Sequence, residues 1–167
     1  LSVAGIYPTT AGVIGFGFAG TSIAGAFATT IEAGSDPADP IYTIDPSQPE
    51  MGNRNNAFVM SYGNRMKNIP YLQKMPQAEN LSVGANLKLF SASMYGDSIT
   101  GGDASGYDMD LGLKYYTPQK WMTFGITLQN LLPFSLGGKL RYSSGHEESY
   151  PAILEIGSAF KLIGRKD

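Results

Sequence analysis

The stretch Gly106-Tyr107-Asp108-Met109-Asp110-Leu111-Gly112-Leu113-Lys114-Tyr115-Tyr116 decides the reading of this chain. Its odd positions, Tyr107, Met109, Leu111, Leu113 and Tyr115, are all apolar or aromatic. Its even positions carry Asp108, Asp110, Gly112, Lys114 and Tyr116. A helix would mix the two sets, whereas a strand sends alternate side chains to opposite faces and keeps them apart. The segment is therefore expected to be a β-strand with one greasy face and one charged face.

The same period of two recurs on both sides. Met122, Phe124, Ile126 and Leu128 alternate with Thr123, Gly125, Thr127 and Gln129. Between the two segments, Thr117-Pro118-Gln119-Lys120 reads as a tight turn, with Tyr115, Tyr116 and Trp121 flanking it as an aromatic girdle. Upstream, Leu81, Val83, Ala85, Leu87 and Leu89 alternate with Ser82, Gly84, Asn86 and Lys88. Phe58, Met60 and Tyr62 alternate with Val59, Ser61, Gly63 and Arg65, as Ile14, Phe16 and Phe18 do with Gly15, Gly17 and Ala19. Near the end, Leu154, Ile156, Phe160 and Leu162 oppose Glu155, Gly157, Ala159 and Lys161, and a weaker strand is expected over 136–142.

Composition agrees with a wall more than with a compact core. Charged residues make up 16% of the 167, against a usual share of about 25%. Mean hydropathy is only -0.10, so the low charge does not come from long apolar runs. With no cysteine, disulfides, thiolate metal sites and cysteine nucleophiles are excluded, and a net charge of -2 gives nucleic acid no reason to bind. The apolar sets continue without charges along segments of about 8–12 residues, near the 9–11 that cross a bilayer with tilt. In hydrocarbon every backbone N–H and C=O must be paired, so such strands must wrap into a closed sheet. The expected fold is all-β, an antiparallel transmembrane β-barrel in a single unit over 1–167. Its lumen would be lined by Asn86, Lys88, Asp108, Asp110, Lys114, Gln129, Glu155 and Lys161. Polar connections over 32–56, 67–80, 96–106 and 143–150 are expected to be the long loops of one end, with the tight turn at the other.

From Ser82-Val83-Gly84-Ala85-Asn86-Leu87-Lys88 through Phe124-Gly125-Ile126-Thr127-Leu128-Gln129-Asn130-Leu131 to Tyr150-Pro151-Ala152-Ile153-Leu154-Glu155-Ile156-Gly157-Ser158-Ala159-Phe160, the chain resembles the PorV-type barrels, relatives of the FadL-type fatty-acid transporters. The likeness covers about half of the chain. It implies a bacterial outer-membrane location and a larger barrel of about fourteen strands. It also implies uptake of hydrophobic molecules or, for PorV itself, service to the type IX secretion system. The Asn-Pro-Ala-Gly-like N-terminal stretch of that family has no counterpart here, and Ile163-Gly164-Arg165-Lys166-Asp167 lacks a terminal aromatic residue. The expectation is an internal segment of a larger barrel, with a complete eight-stranded barrel as the alternative.

Catalytic and metal-binding readings fare poorly. Gly101-Gly102-Asp103 followed by Asp108 and Asp110 fits no calcium-loop spacing and reads as a polar loop feeding a strand. His146, the single histidine, sits beside Glu147 and Glu148 in a polar stretch and reads as solvated. No nucleophile elbow or phosphate-binding Gly-Lys-Ser/Thr motif is present. The expectation is a non-enzymatic protein without a cofactor or metal, in contact with outer-membrane lipid. It would transport hydrophobic or amphipathic small molecules; alternatives are a non-transporting barrel that docks secreted or surface proteins, and a soluble β-barrel binding protein.

Overall fold

The computed structural model describes residues 1–162 apart from Pro46, Pro49, Asp97, Ser98 and Lys120. The sequence expectations for Lys120 in the tight turn, for the two prolines and for 163–167 lie outside the described residues. Every regular element is a strand or a single 3-10 turn. The strands are β1 Ser2–Thr9, β2 Gly12–Ala26, β3 Thr29–Ile31, β4 Tyr42–Ile44, β5 Met51–Arg65, β6 Leu81–Tyr95, β7 Ala104–Tyr116, β8 Met122–Gln129, β9 Lys139–Tyr142, β10 Glu147–Ser149 and β11 Ile153–Phe160. One antiparallel sheet runs β1-β2-β5-β6-β7-β8-β11, with β9 and β10 attached beside β7, and β3 and β4 form a separate small hairpin.

Register follows the alternation. Tyr7, Ile14, Tyr62, Ala85, Leu111, Leu128 and Leu154 stand side by side across seven strands. A parallel row holds Val3, Phe18, Phe58, Leu89 and Tyr107. One apolar face therefore spans the whole sheet, and slipping any pair by a single residue would break it. The next row beyond Tyr107 changes character abruptly to Gly20, Asn56, Ser91, Ser105, Arg141 and Glu147. From Tyr107 to Tyr115 the strand rises about 27 Å.

This face has no partner among the described residues. Leu111, Ile126 and Met60 are 45%, 41% and 42% exposed, and the only buried hydrophobic residues among those described are Met66, Ala78, Ala104 and Leu140. The molecule exposes 11903 Å², whereas a compact folded chain of 17.9 kDa exposes about 8,000 Å². Closure of the sheet is not seen among the described residues, because β1 and β11 each have one unpaired edge. Six antiparallel steps separate these two strands, so they run in the same direction.

Several expectations need correction. Residues 67–80 lie at the same end as the tight turn after β7, because β5 and β7 both run toward that end. Length therefore does not segregate the loops cleanly. Tyr116 lies on the charged face, where Lys114 Nζ sits 5.0 Å from its ring centroid, so it does not join the girdle. Tyr115 lies on the opposite face, stacked on Phe124, and Trp121 packs against Phe160. The strand expected over 136–142 begins only at Lys139. Pro133 opens a 3-10 turn, Phe134–Leu136, that ends at Gly137 with φ of 115°. A Cβ on Gly137 would also run into the Tyr107 ring, so the position requires glycine. The loops expected over 32–56 and 143–150 contain β4 and the start of β5, and β10, respectively.

Candidate functional site

The charged face is assembled by β6 and β7. Lys88 stands directly opposite Asp108 in the ladder, yet its ammonium reaches diagonally to Asp110, 2.6 Å from Oδ1. Asn86 Nδ2 donates to Asp110 Oδ2 at 3.2 Å. Cross-strand partners and their diagonals lie within reach of long side chains, which is why an Asn/Lys strand beside an Asp/Asp strand forms a lattice of this kind. Asp108 is fully buried and Asp110 is 7% exposed, while the apolar face opposite stays open. At this cluster the charged side chains are buried while apolar side chains of the opposite face, such as Leu111, are exposed.

A chain excursion covers this lattice. β8 pairs with 111–116 of β7 and β9 with 104–106 on the same edge; between them the chain makes an excursion, touching β7 through the Leu131 N–H, which donates to the Met109 carbonyl at 2.9 Å, and through a bridge from Gly138 to Tyr107. Asn130 takes φ of 55°, a left-handed conformation that asparagine tolerates better than most residues. Its N–H then donates to Asp110 Oδ1 at 3.1 Å, and Leu132 N–H donates to Asp108 Oδ1 at 3.1 Å. Lys88 Nζ also donates to Asn130 Oδ1 at 2.5 Å, and Asn130 Nδ2 to the Pro151 carbonyl at 2.9 Å. The two carboxylates therefore replace strand carbonyls as acceptors where β8 departs. Among the described residues, Asp108 Oδ2 is buried with no hydrogen-bond partner.

Of the eight residues expected to line a lumen, Asn86, Lys88, Asp108 and Asp110 converge. Gln129 and Glu155 form a second pair, Nε2 to Oε2 at 2.9 Å, on the more exposed β8–β11 edge. Lys114 shares the face but engages Tyr116. Lys161 follows β11, and its backbone N–H donates to the Trp121 carbonyl at 2.8 Å. Asn130 was missed as a member of the cluster. Its signal was there, an Asn ending an alternating run three residues ahead of Pro133.

Beside Lys114 the face is bare. Gly84, Gly112, Gly125 and Gly157 help line an open hollow of about 530 Å³. Added Cβ atoms at Gly125 and Gly157 would meet nothing within 4 Å. His146 lies 3.5 Å from Glu148 at an exposed turn, and no three His, Cys, Asp or Glu residues converge as a metal site among the described residues. No protein-family model, no curated protein and no solved structure matches the chain.

Proposed function

We propose that this chain forms part of the wall of a bacterial outer-membrane β-barrel that passes hydrophobic or amphipathic small molecules, with no catalytic step. The observation that carries the reading is the reversed polarity of one continuous sheet. Among the described residues seven strands present an uncovered apolar face, while on the other face Asp108 and Asp110 are buried and Asp110 is paired with Lys88. Hydrocarbon outside and a polar lumen inside satisfy both faces at once. The hollow floored by Gly112, Gly125 and Gly157 supplies room for a passing molecule next to Lys114 and Tyr116. The FadL-type likeness points to the same class of cargo.

Liposomes carrying the full-length protein test this directly. Uptake of a labelled fatty acid should exceed that of empty liposomes, and Gly125→Phe should reduce it while the strand signal in circular dichroism stays unchanged. A sealed barrel with no flux would overturn the transport reading.

A second reading is favoured by the β3–β4 hairpin. Ile31, Tyr42 and Ile44 are well exposed there, and residues 27–50 hold five acidic residues and no Lys or Arg. Such a surface suits docking of a secreted or surface protein, in line with the PorV-type likeness. A stoichiometric protein partner, released by deleting residues 29–44, would support it over transport.

A further inference from the structure

We infer that the outward face where β7, β9 and the 3-10 turn Phe134–Leu136 meet is a binding site for the phosphate headgroup of an anionic membrane lipid. The inference rests on the membrane reading above and adds a ligand to a surface that transport does not use.

The site lies at the margin of the apolar band. Ser105 and Arg141 face each other across the ladder, one row beyond Tyr107. Ser105, Tyr107, Ser135, Lys139 and Arg141 line a recess of about 500 Å³, and none of its described lining residues is acidic. The turn is held there by the Tyr107 hydroxyl, which donates to the Leu136 carbonyl at 3.0 Å. Phe134 and Leu136 beside it remain exposed, at 46% and 63%. A recess with hydroxyls and cations above and uncovered apolar side chains below matches an interfacial lipid, whose phosphate sits at the polar boundary and whose chains run along the wall.

The cations have capacity to spare. Glu147 takes Lys139 at 2.9 Å and the Nε of Arg141 at 2.7 Å, so one carboxylate faces two positive groups. The terminal guanidinium nitrogens of Arg141 have no partner among the described contacts, and its side chain is 65% exposed. Lys139 Nζ also rests 4.3 Å from the Phe134 ring centroid, a favourable cation–π placement at the edge of the 3-10 turn. A planar guanidinium fork with free donors suits phosphate oxygens.

Lipid retention by the full chain in detergent micelles, counted by native mass spectrometry, tests the site. Phosphatidylglycerol should be retained over phosphatidylcholine. Lys139→Gln with Arg141→Gln should reduce that preference by about fivefold per cation removed. Glu147→Gln should raise it, because both cations are released, whereas a purely structural ion cluster would lose order in both variants and gain lipid in neither. Retention should also survive added inorganic phosphate, since the acyl chains contribute; displacement would assign the site to free phosphate and overturn the lipid proposal. Should the double variant not fold, Glu147→Gln alone decides. Equal retention of the two lipids by the unmodified chain, or no gain in Glu147→Gln, overturns the site while leaving the barrel reading intact. A chain that stays dispersed without detergent removes the membrane reading itself.

Discussion

Asp110 shows how much depends on single side chains in a sheet that buries few apolar residues. It accepts from Lys88, Asn86 and the backbone of Asn130, and so ties β6, β7 and the departure of β8 together. Lys88→Met should leave a buried carboxylate without its cation and cost about 3–5 kcal/mol in denaturant unfolding from detergent. Lys88→Met with Asp110→Leu should cost less than the single change, because no orphaned charge remains; a larger cost would show that the pair acts chiefly through its neighbours. The outward face offers a second residue-scale test. Leu111→Arg, in the middle of the apolar rows, should cost about 2–4 kcal/mol in a bilayer-folding assay, and Ser91→Arg, one row past the margin, about 0–1. Equal costs would mean that no hydrocarbon lies against Leu111. At this scale the sequence was informative about which face each side chain takes, because strand parity is a local property. Which charges touch was not legible: Lys88 bypasses Asp108 opposite for Asp110, and that choice depends on where 130–132 crosses.

Among the elements, the β9–β10 hairpin is the part whose stability should respond to acid. Lys139 first, and then Arg141, hold the Glu147 carboxyl below its ordinary range by hydrogen bonding to the charged form. A depressed value in the folded state means that the contribution is complete above the unfolded Glu value and fades as pH falls through the lower folded one. Amide exchange in 139–149 should therefore accelerate in that acidic window, with β6 and β7 unaffected, and Glu147→Gln should show no acid step. Element boundaries were read well only where one face is apolar and the other polar. β5 and β6 continue to Met51 and Tyr95, past the point where alternation fades, since backbone pairing goes on where both faces are polar. β1 escaped notice because Ala4, Ile6 and Pro8 oppose Val3, Gly5 and Tyr7, which gives no contrast between its faces.

For the whole molecule, the decisive quantity is surface that the chain does not bury. An excess of about 4,000 Å² over a compact protein of this mass predicts that the chain needs detergent or lipid to remain dispersed, which light scattering after detergent removal would check. The edges add a constraint of direction. β1 and β11 run the same way, so antiparallel closure requires an odd number of strands between them beyond those described. Fast exchange of the outward backbone amides of β1 and β11 in micelles, against slow exchange in β5 and β6, is the expected signature of the open edges; protection of both would show that they pair. By itself the sequence determined an antiparallel all-β sheet with one apolar and one charged face, because alternation every second residue is written into neighbouring positions. Only the tertiary structure decided that strand order, the passage of 130–132 over the carboxylates and the end at which each loop lies. Those depend on pairing between residues far apart in the chain, where no local period carries information.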